Sequence, residues 1–182
     1  MAIVKVAVLG DTECGKTSFT QRYTTGNFPD PDMLRTTIGA SFDTKKVELP
    51  SGTECTLSIW DFGGQKRFAD QMKTMIRGAK IGLLFFDVSK MQTFDNLFTY
   101  WIPAVNENSN LNFDSGDGKR FILVGNKIDL IDGDKIDQIG DEMIEVANEY
   151  GMTTHLISAK TGVGMDTLDS TFLNLVDEYG IK

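Results

Sequence analysis

The sequence contains few of the residues that cross-link small secreted folds. It has two cysteines, Cys14 and Cys55, and one histidine among 182 residues. A disulfide would tie the loop around Cys14 to a predicted strand, so we expect both cysteines to be free thiols in a reducing compartment. The single histidine, His155, falls within a predicted strand, and we expect it to be structural.

Long apolar runs and positive charge are also scarce. No apolar stretch approaches the ~20 residues that span a bilayer. Met1 leads directly into a strand pattern, residue 2 is alanine and no cysteine lies near the C-terminus, so we expect no signal peptide, myristoyl group or prenyl group. Lys and Arg number 18 against 26 Asp and Glu, giving a net charge of -8. This balance argues against nucleic acid and anionic membranes as nonspecific partners.

The remaining composition is that of a globular protein. Hydrophobic residues make up 41% and charged residues 24% of the chain, a balance typical of a packed core rather than disorder. There is no internal repeat, linker or low-complexity segment. We therefore expect a single domain spanning residues 1–182.

One glycine-rich segment carries the clearest chemistry. Residues 10–17 (GDTECGKT) fit the pattern G-x-x-x-x-G-K-[ST] between a strand pattern at 2–9 and a helix pattern at 16–25. Such glycines let successive backbone N–H groups face phosphate oxygens, and the helix N-terminus adds partial positive charge. Lys16 can reach the β- and γ-phosphates, and the Thr17 hydroxyl can ligate Mg²⁺. The alternative is an ordinary glycine turn, which the flanking elements disfavour.

Strand and helix patterns alternate along the rest of the chain. Strands are predicted at 41–49, 53–60, 81–87, 121–125 and 153–157, and helices at 66–77, 93–107, 136–150 and 165–179. Pro103 interrupts the second helix, residues 108–119 predict a surface loop, and residues 26–40 predict a long exposed loop. The alternation predicts an α/β fold with a mostly parallel, doubly wound sheet.

Four polar motifs each follow a predicted strand. They begin at Gly10, Asp61, Asn126 and Ser158. Sheets of this kind bind ligands at the carboxyl ends of their strands, so we expect the four motifs to meet at one edge.

Together with a fifth segment at 37–39, these four motifs resemble, in order along the chain, the five nucleotide motifs of Ras-superfamily small GTPases. They are the phosphate loop, Thr37-Ile38-Gly39, Asp61-x-x-Gly64-Gln65, Asn126-Lys127-x-Asp129 and Ser158-Ala159-Lys160. The segments TIGASF (37–42) and WDFGGQKRF (60–68) are most similar to the Rab branch, whereas the G-G-Q run also resembles the Arf and Rag branches. The resemblance covers essentially the whole chain. It implies a P-loop NTPase fold (a G domain) with a six-stranded, mostly parallel sheet, one antiparallel edge strand and helices on both faces.

The resemblance also implies a ligand, a cofactor and site residues. GTP or GDP would be bound by Thr12, Glu13, Cys14, Gly15, Lys16, Thr17, Ser18, Phe28, Thr37, Gly64, Asn126, Lys127, Asp129, Ser158, Ala159 and Lys160. The Mg²⁺ ligands would be Thr17, Thr37 and, through water, Asp61. The catalytic residues would be Lys16, Thr37 and Gln65, with Gln65 orienting the attacking water.

The base-recognition residues each have a chemical reason. The Asp129 carboxylate can accept hydrogen bonds from guanine N1–H and the exocyclic amino group, a pattern that adenine cannot offer. Asn126 suits N7 and bracing of the loop, and the N–H of Ala159 suits O6. The aliphatic stems of Lys127 and Lys160 can cover the two faces of the ring.

We therefore expect a guanine-nucleotide switch with slow GTP hydrolysis, acting in membrane trafficking or signalling. Segments 30–39 and 62–77 would order around the γ-phosphate and bind effectors, GTPase-activating proteins and exchange proteins. We expect a cytoplasmic monomer without its own membrane anchor, membrane-associated only if the natural protein carries a lipidated tail. Two alternatives stay open: a pseudo-GTPase that holds GTP without turnover, and a P-loop nucleotide kinase, which the scattered arginines and the Asn-Lys-x-Asp motif disfavour.

Several residues near the predicted site allow two interpretations. Thr36 could replace Thr37 as the metal ligand. Phe28 could pack on the purine, as the resemblance implies, or belong to the core. Arg35 could act as a built-in arginine finger or be solvated. The stripe Met72, Met75 and Ile76 could be a helix face on the sheet or a partner surface.

Overall fold

A six-stranded sheet crosses the centre of the molecule. The computed structural model describes residues 2–30, 32, 36–64 and 69–181, with the backbone alone at 69–71. The strands are β1 (Ala2–Leu9), β2 (Ala40–Glu48), β3 (Glu54–Phe62), β4 (Ile81–Asp87), β5 (Phe121–Asn126) and β6 (Thr153–Ile157). Their order is β2-β3-β1-β4-β5-β6, and only β2 and β3 pair antiparallel. The predicted sheet with one antiparallel edge strand is confirmed.

Helices connect the strands and cover both faces of the sheet. They are α1 (Lys16–Thr25), α2 (Ala69–Met75), α3 (Gln92–Asn96), α4 (Ile102–Asn108), α5 (Gly133–Tyr150) and α6 (Met165–Leu175). A π turn (Leu97–Trp101) joins α3 to α4, and a second π turn (Val176–Gly180) extends α6. No described helix is long and apolar enough to cross a membrane.

The alternating side chains of β1 divide the core into two layers. Val4, Val6 and Val8 pack on one face with residues of α1 and α6, such as Phe19 and Phe172. On the other face, Ala7 and Leu9 pack with side chains from α2 to α5, among them Met72, Trp101, Val105 and Met143. Because successive strand residues face opposite sides, a central strand covered on both faces is apolar at nearly every position. Cys14 and Cys55 are buried free thiols, as predicted.

Two helix predictions were wrong in detail. The α5 helix begins at Gly133, three residues before the predicted start, with the extended residue Asp132 as its N-cap. Acidic residues at a helix N-terminus are favoured by the helix dipole, although they carry no amphipathic signal. The predicted break at Pro103 does not occur. Helical backbone continues from α3 through the π turn into α4, where Pro103, which has no N–H to donate, is the second residue.

The predicted surface loop at 108–119 is in part a buried structure. Leu111 and Phe113 are both buried, and short 3₁₀ helices form at Phe113–Ser115 and Asp117–Arg120. The Phe113 ring lies 4.3 Å from that of Phe121, centroid to centroid, and meets Tyr150 edge-on. Because the segment is mostly polar, the sequence analysis did not predict that Leu111 and Phe113 are buried.

The structure describes residues 69–77 of the helix predicted at 66–77, and α2 covers Ala69–Met75. Met72 and Ile76 are buried against the sheet, whereas Met75 is partly exposed. The core interpretation therefore holds for two of the three residues in that stripe.

Phe113→Ala should destabilise the fold by about 3 kcal/mol, because it empties a buried aromatic site. Urea unfolding measures this difference, with Asp114→Ala, an exposed neighbour in the same 3₁₀ helix, as the control. A loss below about 1 kcal/mol for Phe113→Ala would mean that this segment is not anchored by the ring.

Candidate functional site

The loops at the carboxyl ends of the strands enclose a cavity of about 380 Å³. Most of the residues that line it were predicted from the sequence. The lining residues are Thr12, Glu13, Gly15, Lys16, Thr17, Ser18, Phe28, Thr36, Thr37, Gly63, Gly64 and Lys127. Thr36 had been considered only as an alternative to Thr37, and Gly63 was not among the predicted site residues.

The phosphate loop needs its two glycines for close packing. Gly10 has φ +140°, and a Cβ there would lie 2.1 Å from the carbonyl oxygen of Phe85. Gly15 has φ +87°, and its Cβ would meet Asn126 Nδ2 at 2.3 Å. Both positions therefore exclude a side chain, for conformational and steric reasons. The α1 helix begins at the next residue, so its free N–H groups face the cavity.

Lys16 is the buried cation of this loop. Its Nζ donates to the carbonyl oxygens of Gly10 at 2.8 Å and Asp11 at 2.7 Å. Burial lowers the pKa of Lys16, and the nearby Asp61 and Asp11 carboxylates partly oppose this effect. A buried ammonium beside a cavity favours an anionic ligand.

Three oxygen-bearing side chains meet beside Lys16. Thr17 Oγ1 donates to Asp61 Oδ2 at 2.5 Å, and Thr37 Oγ1 lies 2.9 Å from Thr17 Oγ1 and 3.2 Å from Asp61 Oδ2. Asp61 is buried, and its Oδ1 has no hydrogen-bond partner among the described residues. Burial raises the pKa of Asp61, although Lys16 and the two threonines oppose the shift. An orphaned carboxylate oxygen among hydroxyls fits a hard divalent cation such as Mg²⁺.

Two further strand ends form a rigid loop pair beside the phosphate loop. Asn126 Nδ2 donates to the Cys14 carbonyl at 2.9 Å, and its Oδ1 accepts from the N–H of Ala159 at 3.0 Å. Ser158 Oγ donates to Asp129 Oδ1 at 2.5 Å. From α1, Arg22 Nη1 donates to the carbonyls of Ala159 and Lys160. These contacts fix the two loops to each other and to α1.

The other predicted site residues that the structure describes lie outside the cavity lining. The side chains of Cys14, Asn126, Ser158 and Ala159 are buried behind it, and Asp129 and Lys160 are exposed beyond it. Burial raises the pKa of the Cys14 thiol to about 11, so only its main chain is suited to ligand contact.

Three sequence interpretations gain structural detail. Glu13 faces outward, with its carboxylate 3.6 Å from Lys90 Nζ. Phe28 is half-buried and both lines the cavity and packs against the core, so the two interpretations are compatible. His155 lies outside the cavity, with Nε2 2.8 Å from Thr171 Oγ1. Gln65 and Arg35 are outside the described residues, and their roles stay predictions.

Asp87 is a residue that the sequence analysis missed. Although burial opposes it, the hydrogen bonds from Lys127 Nζ, at 2.7 Å, and from Ser89 hold the pKa of Asp87 below its usual value. Asp87 therefore fixes the position of Lys127 beside the cavity. Its place at the end of an apolar strand, like that of Asp61, was the signal that could have identified it.

Comparison with known proteins agrees with this geometry. A sequence model of the Ras family matches residues 5–179. The chain belongs to the Ras family of small GTPases. Its relatives include the Ypt/Rab-type GTPase YPT7 of Saccharomyces cerevisiae, 34% identical over 91% of this chain and 77% of that protein. Human Rab-27B is 31% identical over 96% of this chain and 79% of the Rab-27B chain. Mouse Rab-36 is 32% identical over 100% of this chain and 64% of the Rab-36 chain. The predicted similarity to the Rab branch is confirmed.

In this Ras-family chain, Gly64→Ala should weaken GTP binding at least tenfold. A Cβ at Gly64 would lie 2.0 Å from the backbone nitrogen of Thr12, so the segment would have to move off the phosphate loop. Nucleotide titration measures the effect, with Gly133→Ala as the control because a Cβ there meets open space. Equal GTP affinity in both variants would contradict the close approach.

Proposed function

We propose that this protein is a guanine-nucleotide switch that binds GTP and GDP with Mg²⁺ and slowly hydrolyses GTP. The observation that carries this proposal is the contact of Thr17, Thr37 and Asp61 beside the phosphate loop. It joins three separate motifs at the point where the β- and γ-phosphates would lie. A phosphate-binding loop with a purely structural role would not need an oxygen cluster from two other segments.

The phosphates would be held by the main chain of residues 12–18 and by Lys16. The N-terminus of α1 supplies free N–H groups and a partial positive charge. The Lys16 ammonium now bonds two carbonyls at the loop entrance and can turn toward phosphate oxygens. Gly64, packed on the loop backbone, would offer its N–H to the γ-phosphate.

Mg²⁺ would be held by the hydroxyls of Thr17 and Thr37 and, through water, by Asp61. When bound, it neutralises phosphate charge that builds up in phosphoryl transfer. Thr37 follows the predicted long loop's first half, and its hydroxyl contacts that of Thr17 beside the cavity. Asp61 would remain ionised because the cation offsets the cost of its burial.

The base would be recognised by the loops after β5 and β6. Asp129, oriented by Ser158, would accept from guanine N1–H and the exocyclic amino group. The N–H of Ala159 would suit O6, and the stems of Lys127 and Lys160 would cover the ring faces, with Phe28 at the edge. Asn126 would brace both loops from behind.

For hydrolysis, we assign Gln65 the role of orienting the attacking water, with Lys16 and Thr37 stabilising the transferred group. Segments 30–39 and 62–77 would change with the γ-phosphate and present a state-dependent surface. On this basis we propose that effectors, GTPase-activating proteins and exchange proteins bind there, in membrane trafficking or signalling. We further propose a cytoplasmic monomer that reaches membranes only through a lipidated tail or a partner.

Nucleotide titration with Mg²⁺ tests base recognition. Wild-type protein should bind GTP and GDP at least a hundredfold more tightly than ATP. Asp129→Asn should shift the preference toward xanthine nucleotides, because an amide can donate to their 2-carbonyl group. Asp132→Asn, on an exposed residue three positions along, is the control and should leave the preference unchanged. Comparable ATP and GTP affinities would contradict guanine recognition.

Single-turnover hydrolysis distinguishes a GTPase from a protein that holds GTP without turnover. Wild-type protein should convert bound GTP to GDP and phosphate over hours. Gln65→Leu should keep GTP affinity but slow the conversion at least tenfold, because leucine cannot orient water. An equal rate in Gln65→Leu would remove Gln65 from the mechanism, and no turnover in wild type would favour the pseudo-GTPase.

A further inference from the structure

Asp11 is a phosphate-loop residue whose side chain the proposed mechanism does not use. It is absent from the residues that line the cavity. Its carboxylate instead accepts two hydrogen bonds from a different part of the chain: Oδ1 from Trp101 Nε1 at 2.8 Å, and Oδ2 from Asn96 Nδ2. Trp101 is buried and Asn96 half-buried, so the carboxylate is satisfied largely by these two neutral donors.

The π turn places both donors on the same carboxylate. Asn96 immediately precedes the turn and Trp101 ends it, five residues later. In an α-helix, residues five apart point about 140° away from each other, since each residue turns the chain about 100°. Here the N–H of Ile102 bonds the carbonyl of Leu97, a step of five residues, and this wider turn brings such residues toward one side. The π turn therefore coincides with the pair of hydrogen bonds that Asn96 and Trp101 donate to Asp11.

The backbone of Asp11 supports two parts of the nucleotide site. Its carbonyl accepts a hydrogen bond from Lys16 Nζ at 2.7 Å. It also forms part of the surface on which Gly64 rests, because a Cβ at Gly64 would lie 2.2 Å from the Asp11 carbonyl carbon. A shift of Asp11 would therefore displace both the buried lysine and the glycine expected at the γ-phosphate.

We propose that Asn96 and Trp101 are positioning residues, which hold the phosphate loop in its nucleotide-binding shape through the Asp11 carboxylate. This inference rests on the proposed binding of nucleotide at that loop. Hydrogen bonds to a charged acceptor are stronger than neutral ones, and leaving the acceptor part-buried without donors carries a further cost. Losing either donor should therefore loosen the loop and speed nucleotide release.

A charge exchange tests the contact directly. Asn96→Asp places a second carboxylate against Asp11, and GDP should dissociate about tenfold faster. Adding Asp11→Asn restores complementarity, because the new amide can donate to the carboxylate at position 96 and still accept from Trp101. The double variant should return to within about threefold of wild type. Asn108→Asp is the matched control, since Asn108 lies in the same helical run and its side chain donates only to Ala104 among the described residues.

A second pair of variants isolates the indole. Trp101→Phe keeps an aromatic ring but removes the N–H, and should speed GDP release about threefold or more. Trp60→Phe is its control, because the Trp60 indole N–H donates to Ser58 of the same strand. Combining Trp101→Phe with Asp11→Ala should add little to Asp11→Ala alone, as expected for residues acting through one acceptor.

Amide hydrogen exchange of the phosphate loop, measured without nucleotide, separates this inference from the proposed function. Exchange should be faster in Asn96→Asp and restored in the double variant, whether or not the protein binds GDP. If wild type fails to bind GDP, the proposed function is wrong. Amide hydrogen exchange alone then tests the contact of Asn96 with Asp11. If Asn96→Asp releases GDP and exchanges its loop amides as Asn108→Asp does, or if the double variant gives no restoration, the positioning role is overturned.

Discussion

The site depends on one buried carboxamide. Asn126 ends β5, is almost fully buried, and bonds the phosphate loop through the Cys14 carbonyl and the β6 loop through the N–H of Ala159. An amide carries both a donor and an acceptor, so a single side chain can join a carbonyl to an N–H. Arg22 of α1 adds a second link, because it donates to the carbonyls of Ala159 and Lys160 in the β6 loop. Gly15 must lack a side chain because Asn126 occupies that space.

Buried charge is the second constraint. The molecule carries a net charge of -8 but places Lys16, Asp61 and Asp87 in its interior at one sheet edge. Asp87 is matched by Lys127, whereas Asp61 keeps an oxygen without a partner among the described residues. Unpaired buried charge is costly unless a ligand completes it. This arrangement supports the proposed binding of a polyanion together with a divalent cation.

Much of the fold was predictable because its signals are local. The strands β1 and β4 and the helix α1 have the bounds expected from their residue patterns, since apolar runs and the phosphate-loop glycines act over a few positions. The errors arose where tertiary contacts outweigh local composition. Phe113 is buried within a polar segment, and helical backbone runs through a π turn and on past Pro103. Neither the burial of Phe113 nor the continuation of the helix produces a periodic pattern in the sequence.

For the site, the sequence by itself determined which chemical groups follow which strands: the glycines and Lys16 after β1, Asp61 at the end of β3, Asn126 at the end of β5 and Ser158 after β6. A parallel sheet brings strand ends to one edge, so that order was enough to predict a shared site. Only the tertiary structure decided the partners across the chain. The Lys127 contact with Asp87 and the contacts of Asp11 with Asn96 and Trp101 join residues about 40 to 90 positions apart. Such pairings depend on how the packed layers align, and local sequence does not determine that alignment.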